Sequence, residues 1–140
     1  MKTPIVFAMD DGYAMPTSVA IYSLLRSYTG SNIEIYILFK DYLSELSRAL
    51  INHAIKSEKV SVSLNYLDVK NFIGDASSHI EHITEATYYR LVLPELLSDY
   101  DQCLYLDGDI VVLGDIKELC DIELQPEEYL AGVSTVKIQT

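Results

Sequence analysis

Short apolar segments alternate with amphipathic segments along the first half of the chain. Three segments rich in β-branched and aromatic residues predict buried strands, at 4–9 (PIVFAM), 33–39 (IEIYILF) and 60–67 (VSVSLNYL). Between them, apolar residues recur at helical spacing over 15–28 and over 44–56. This strand–helix–strand order predicts an α/β fold in which helices cover both faces of a mostly parallel sheet.

The same analysis predicts further elements in the second half of the chain. A helix is expected over 84–97, interrupted or bent near Pro94, because proline removes an internal hydrogen bond. A loop is expected around 74–78, and strands are expected over 102–106 and 129–133. Parallel sheets bind ligands beyond the carboxyl ends of their strands, so polar residues that follow a strand are candidates for a site.

The charge of the chain argues against two classes of partner. Its formal net charge is −11 at pH 7, and the acidic residues are scattered along the sequence. Nucleic acids and anionic membranes attract clustered Lys and Arg, so neither is expected as the main partner. No apolar run approaches the ~18 residues of a membrane span, and no signal-peptide pattern is present. A cytoplasmic location is predicted, with peripheral contact at the inner face of the membrane left open.

Length and cysteine content both favour one intracellular domain. A chain of 140 residues has room for a single domain with a hydrophobic core. Cys103 and Cys120 are too few for a disulfide framework, so both are expected to be reduced and structural.

The segment 104–112 (LYLDGDIVV) places two carboxylates, Asp107 and Asp109, between two apolar runs. An unpaired charge is costly to bury, so a cation is expected to compensate them. Oxygen ligands favour a hard ion such as Mg²⁺ or Mn²⁺, which proteins bind through one or two carboxylates together with substrate phosphates. Gly108 allows a tight turn and the close approach of a phosphate. The alternative is a solvated surface turn, which the apolar flanks disfavour.

Two further groups of residues are candidates for a site. Asp10 and Asp11 follow the first predicted strand and precede Tyr13. An aromatic ring beside a carboxylate suits a nucleoside, because the ring stacks on a base while the acid accepts a hydrogen bond. Arg90, one of three arginines, can pair with the carboxylates or contact a sugar or phosphate oxygen. A surface salt bridge explains Arg90 equally well.

Three motifs, in order and in register, resemble glycosyltransferase family 8. They are 5–13 (IVFAMDDGY), 82–91 (HITEATYYRL) and 104–109 (LYLDGD). The family includes lipopolysaccharide galactosyl- and glucosyltransferases and glycogenin, and the resemblance covers nearly the whole chain. It implies a GT-A (Rossmann-like) fold, a UDP-hexose donor and Mn²⁺ (or Mg²⁺). It also implies transfer of the hexose, with retention at the anomeric carbon, to a glycan such as lipopolysaccharide or another cell-surface glycan.

The resemblance also implies roles for residues near the N-terminus. Ala8 and Asp10 would contact the uracil or its ribose, and Tyr13 would stack on the base. Asp11 would belong to the same nucleotide-sugar-binding group. Many relatives have Asn where this chain has Gly12, so one polar contact to the nucleotide would be missing.

A second set of implied roles belongs to the acidic turn and the arginine. Asp107 and Asp109 would hold the metal ion against the diphosphate, with Asp109 the firmer ligand. Gly108 or Ile110 would lie along the ribose. Arg90 would touch the donor sugar and steady the acidic pair, so Arg90, Asp107 and Asp109 are the catalytic candidates.

The domain of the family is about twice as long as this chain. The resemblance therefore implies that residues 1–140 form a single, partial nucleotide-sugar-binding domain without the acceptor-binding C-terminal half. The third metal ligand of the family, a histidine, would lie beyond Thr140. His53, His79 and His82 all precede the Asp pair and are expected to be surface or capping residues.

Two alternatives to an active transferase remain open at this point. Residues 107–111 also fit the motif of haloacid-dehalogenase phosphatases, in which Asp107 would be the nucleophile. That motif normally opens its fold and needs a lysine and a second acidic pair on later strands. The other alternative is a catalytically inactive UDP-binding fragment that forms homo-oligomers through an open sheet edge. UDP-galactose and UDP-glucose are equal candidates for the donor.

Overall fold

A computed structural model of the protein describes residues 3–73 and 88–132. Four parallel strands form one sheet in the order β3–β2–β1–β4. The strands are β1 (Ile5–Ala8), β2 (Asn32–Phe39), β3 (Ser61–Asp68) and β4 (Leu104–Tyr105). The predicted α/β fold and its parallel sheet are confirmed, although the fourth strand is shorter than predicted. β3 and β4 form the edges of the described sheet, and association of two chains through such an edge stays a prediction.

β1 is one of the two inner strands of the sheet. Its four residues are all buried, which explains why its sequence is apolar without alternation. Ile5 pairs with Ile35 of β2 on one side and with Leu104 of β4 on the other. After β3 the chain returns to the far side of β1 to form β4, so the strand order reverses between β1 and β4. Such a reversal is where open α/β sheets bind ligands.

The helices follow the predicted apolar periodicity. A 3₁₀ turn (Asp11–Tyr13) leads into α1 (Ala14–Ser27), and β2 is followed by α2 (Glu45–Ala54). The N-terminus of α2 is capped by Ser44, whose Oγ accepts a hydrogen bond from Ser47 N at 3.2 Å. A four-residue helix, α3 (Lys70–Ile73), follows β3 and was not predicted.

Helices cover both faces of the sheet, as the sequence predicts. On one face, α1 and α2 pack against the sheet through residues such as Ile21, Leu24 and Ile51, which are fully buried. On the other face, Tyr89 and Leu93 pack against Val6 and Ala8 of the central strand. The core is therefore divided by the sheet into two apolar clusters.

The helix predicted over 84–97 is shorter and more broken in its described part. Residues 74–87 lie outside the described residues, and with them the predicted loop at 74–78 and the predicted start of this helix. The described part contains a 3₁₀ turn (Arg90–Val92) and α4 (Leu93–Leu96), with Pro94 in the first turn of α4. A proline is tolerated there because its missing N–H needs no partner in the first turn. The predicted interruption therefore falls just before Pro94.

The apolar run that follows Asp109 is not a strand. Ile110 and Val112 are partly buried against the core, and Val112 N donates a hydrogen bond to Ser23 Oγ of α1 at 2.8 Å. A short helix, α5 (Lys117–Cys120), comes next and was not predicted. This segment is therefore attached to α1 rather than added to the sheet.

The strand predicted over 129–133 is wrong for its described part, 129–132, which has no regular secondary structure. Tyr129 and Leu130 are 93% and 88% exposed, so neither packs as a strand residue would. Apolar character alone does not form a strand without neighbouring backbone and a face to bury. Residue 133 lies outside the described part. Among the described helices, none is long and apolar enough to cross a membrane.

Candidate functional site

A cavity of about 450 Å³ lies at the carboxyl ends of β1, β2 and β4, where the strand order reverses. The structure brings most of the sequence-predicted site residues to its walls: Ala8, Asp10, Tyr13, Arg90, Asp107, Gly108 and Asp109. Two of the predicted residues, Asp11 and Ile110, are not among the lining residues. The two acidic segments, nearly a hundred residues apart in sequence, thus share one cavity.

The end of β1 presents an aromatic ring to this cavity. Asp10 follows β1 and caps the 3₁₀ turn, because its Oδ1 accepts a hydrogen bond from Tyr13 N at 3.0 Å. Tyr13 is the N-cap residue of α1, and its side chain is 50% exposed. The ring is therefore held in place at its backbone while half of its surface stays accessible to a ligand.

Asp11 takes a different position from its neighbour Asp10. Its Oδ1 accepts hydrogen bonds from Ser44 N at 3.0 Å and from Ser47 Oγ at 2.6 Å. The Ser47 hydroxyl and then the Ser44 amide hold the pKa of Asp11 below its usual value. Asp11 therefore ties the turn after β1 to the start of α2, and the structure does not bring it to the cavity as the resemblance implied.

One residue, Leu106, separates β4 from the Asp107–Asp109 turn. Leu106 N donates to Val6 O at 2.9 Å, so the turn starts beside the end of β1. Asp107 and Asp109 are exposed at the cavity, whereas Gly108 between them is buried. Ile110 packs against the apolar core and not along the cavity. The turn thus directs its carboxylates outward and its glycine toward α1.

Arg90 reaches the acidic turn from the opposite wall. Its Nη2 donates to Asp107 Oδ1 at 3.3 Å, and its guanidinium carbon lies 4.9 Å from the centre of the Tyr105 ring. Burial raises the pKa of Tyr105, and the charge of Arg90 opposes that shift. The neighbouring Tyr89 is 5% exposed and anchors this wall in the core. Arg90 thus contacts Asp107 of the acidic pair, and its role toward the donor sugar stays a prediction.

Asp107 and Asp109 are the candidate metal ligands at the cavity. Within residues 3–73 and 88–132, no three His, Cys, Asp or Glu side chains come together as a metal site. Asp107 and Asp109 offer two exposed carboxylates, which fit a hard ion that takes its other ligands from substrate phosphates and water. His53 is exposed on α2 and does not line the cavity, while His79 and His82 lie outside the described residues.

Sequence reasoning missed several lining residues, among them Lys40 and Asp41, which follow β2. Asp41 has a φ of 64°, a left-handed conformation that is uncommon for a residue with a side chain. Asp68 holds this turn, because its Oδ1 accepts from Asp41 N at 3.1 Å and from Lys70 N at 2.9 Å. Asp41 also forms an ion pair with Lys70. Lys40 and Asp41 come directly after β2, the strand that pairs with β1, and this position in the sequence could have identified them as candidates.

Comparisons with known proteins agree with this arrangement. The sequence profile of glycosyl transferase family 8 matches residues 4–140. Glycosyltransferase GlyF of Streptococcus pneumoniae serotype 4 is 30% identical over 125 residues, which cover 89% of this chain and 30% of GlyF.

Two solved structures are similar to the chain. The bifunctional glycosyltransferase WbbM aligns with a TM-score of 0.71 at 32% identity, over 89% of this chain and 21% of WbbM. The galactosyltransferase LgtC, in complex with donor and acceptor sugar analogs, aligns with a TM-score of 0.67 at 31% identity, over 86% of this chain and 43% of LgtC. The chain spans less than half the length of each of these relatives. From its sequence, its parallel sheet and these matches, the chain belongs to glycosyl transferase family 8 and has the GT-A fold.

Proposed function

We propose that this chain is the donor-binding part of a retaining hexosyltransferase that uses UDP-galactose or UDP-glucose. In this proposal Asp107 and Asp109 hold Mn²⁺ or Mg²⁺ against the diphosphate of the donor. The supporting observation is that the Asp107–Asp109 turn after β4 and the Tyr13 ring after β1 line one cavity at the reversal of strand order. A nucleoside diphosphate has an aromatic base at one end and a doubly charged group at the other, and the cavity offers a partner for each.

The nucleoside end of the donor is assigned to the wall formed by β1 and α1. The half-exposed ring of Tyr13 offers a stacking surface for uracil, and Asp10 beside it offers a carboxylate to a base amide or a ribose hydroxyl. Ala8 is small and ends β1, so a ring can approach the backbone there.

The diphosphate end is assigned to the acidic turn and to Arg90. When bound, a divalent ion acts as a Lewis acid that neutralises the charge developing on the departing UDP. Asp107 and Asp109 would hold that ion. Arg90 holds Asp107 in place and adds fixed positive charge close to the reacting bond, where preorganised charge contributes most to catalysis.

The acceptor is proposed to be a glycan, such as lipopolysaccharide or another cell-surface glycan. LgtC, which aligns over 43% of its own length, was solved with donor and acceptor sugar analogs. The chain corresponds to only part of such a protein, so residues 1–140 are proposed as a partial domain that lacks the acceptor-binding half. We expect the isolated 140-residue chain to bind UDP and metal weakly and to transfer sugar poorly. Because the chain belongs to glycosyl transferase family 8, we no longer consider the haloacid-dehalogenase phosphatase alternative.

Calorimetric titration of UDP with and without Mn²⁺ tests this proposal. The wild-type chain should bind UDP more tightly with Mn²⁺, and this gain should disappear in Asp109→Ala, because Asp107 alone leaves the ion under-coordinated. Asp101→Ala is the matched control, since Asp101 is an exposed carboxylate that precedes β4 and lies outside the cavity. An equal affinity of the wild-type chain for UDP with and without the metal would contradict the proposal.

A further inference from the structure

Thr17, in the second turn of α1, is fully buried and lies directly under the acidic turn. Its Oγ1 has no hydrogen-bond partner among the described residues. Buried hydroxyls are nearly always hydrogen-bonded, and an unpaired one costs stability.

The side chain of Thr17 packs against Gly108 of the acidic turn. A Cβ atom built on Gly108 would overlap Thr17 Oγ1 far inside van der Waals contact. The same Cβ would lie 3.4 Å from Thr17 Cβ and 3.7 Å from Thr17 Cα, which are ordinary contact distances. Among the described residues, the atom that obstructs a Cβ at position 108 is therefore the end of the Thr17 side chain, and not the backbone of α1.

We propose that Thr17 is a positioning residue for the Asp107–Asp109 turn. Its side chain sets how closely Gly108 approaches α1, and through Gly108 it sets where the two flanking carboxylates stand relative to the Tyr13 ring. Thr17 does not touch the donor in this proposal. The inference rests on the proposed function, because it concerns the metal-binding geometry of the same two carboxylates.

A size exchange between positions 17 and 108 tests the proposal. Gly108→Ala should push the turn off α1 and reduce the Mn²⁺-dependent gain in UDP affinity by roughly tenfold, as expected for residues in direct contact. Thr17→Ala combined with Gly108→Ala removes the overlapping atom, so the double variant should recover most of that gain. Gly108→Ala combined with Ser18→Ala is the matched control and should recover nothing, because Ser18 Oγ bonds to Met15 O within α1.

Two readouts separate positioning from a purely structural role. Calorimetry should show that Gly108→Ala changes the Mn²⁺-dependent part of the UDP affinity and leaves the metal-independent part unchanged. Thermal unfolding of the metal-free chain should show whether the fold itself is affected. If both parts of the affinity fall together with the melting temperature, Thr17 acts only on the fold and the proposal is overturned.

The remaining outcomes are also decisive. If Gly108→Ala alone does not fold, recovery of folding and of the metal-dependent gain in the double variant, but not in the Ser18 control, supports the proposal. If the wild-type chain shows the metal-dependent gain and Gly108→Ala retains it, this inference fails while the proposed function stands. If the wild-type chain shows no such gain, the proposed function fails and this inference fails with it.

Discussion

The guanidinium of Arg90 lies 3.3 Å from Oδ1 of Asp107. About half of each side chain is exposed, at 49% and 57%, so solvent weakens the attraction between the two charges. The same guanidinium lies over the Tyr105 ring, where a cation–π interaction adds to its attachment. This pairing therefore orients Asp107 more than it stabilises the fold.

Arg90→Ala should leave stability nearly unchanged and weaken metal-dependent binding. We expect the free energy of unfolding to change by less than about 1 kcal/mol, because the pair is exposed. The Mn²⁺-dependent affinity for UDP should fall several-fold, since Asp107 loses its orienting partner. Arg90→Lys should recover only part of it, because an ammonium keeps the charge but not the planar fork. Urea unfolding and calorimetry measure the two effects. Arg26→Ala, at an exposed arginine of α1 outside the cavity, is the control and should change neither.

Tyr13→Ala should weaken UDP binding whether or not Mn²⁺ is present. Loss of stacking between a base and an aromatic ring costs about 1–3 kcal/mol, which corresponds to roughly 5- to 150-fold in affinity. Tyr13→Phe keeps the ring and should bind nearly as the wild type does. Tyr22→Ala is a closely matched control, because Tyr22 is also 50% exposed on α1 but does not line the cavity. Equal losses in Tyr13→Ala and Tyr22→Ala would argue against a base-stacking role.

Asp11 should contribute to stability in a pH-dependent manner. Its pKa is lowered in the folded state by the Ser47 hydroxyl and the Ser44 amide, so the folded chain binds this proton less readily than the unfolded chain. Its contribution should be complete above about pH 4, the pKa range of an unfolded Asp, and should be lost as the pH falls through its lowered folded value. Urea unfolding between pH 6 and acid should therefore show Asp11→Asn and the wild type converging as the pH falls. Ser47→Ala removes a hydrogen-bond donor to Asp11 but no charge, so it should reduce the change in the free energy of unfolding with pH.

Substitution of Tyr129 and Leu130 tests the finding that residues 129–132 do not form the predicted strand. Tyr129→Ser and Leu130→Ser should each change the free energy of unfolding by less than about 0.5 kcal/mol, because both side chains are exposed. Ile37→Ala, in the fully buried part of β2, should cost about 2–5 kcal/mol and shows that the assay detects burial. A loss above about 1 kcal/mol at residue 129 or 130 would mean that this segment is packed after all.

β2, β3 and the two long helices follow from the sequence because each is long enough to show its own period, whereas β1 is marked by an unbroken apolar run. Ile35 and Ile37 alternate with Glu34 and Tyr36, and the structure buries the first pair completely. β4 is different, since Leu104–Tyr105 is too short to mark its own ends. The strand ends at Tyr105, shortly before the Asp107–Asp109 turn, whose glycine lies against Thr17 of α1.

The site was harder to predict than the fold, because side-chain direction is a tertiary property. Asp10 and Asp11 are equivalent in sequence, yet the 3₁₀ turn directs one toward Tyr13 and the cavity side and the other toward Ser47 of α2. Lys40 carries no motif of its own. It lines the cavity because β2 pairs with β1 in a register that brings their carboxyl ends together, with Met9 N donating to Leu38 O at 3.0 Å.

Both halves of the cavity are attached to one helix. Tyr13 is the residue at which α1 begins, Gly108 rests on Thr17 of its second turn, and Val112 N bonds to Ser23 farther along it. On the sheet side, β4 pairs with β1 through two residues. The Tyr13 ring and the Asp107–Asp109 turn should consequently move together as a rigid body when α1 moves. The distance between the ring and the turn, which has to match the length of a nucleotide, would then stay the same when other walls of the cavity move.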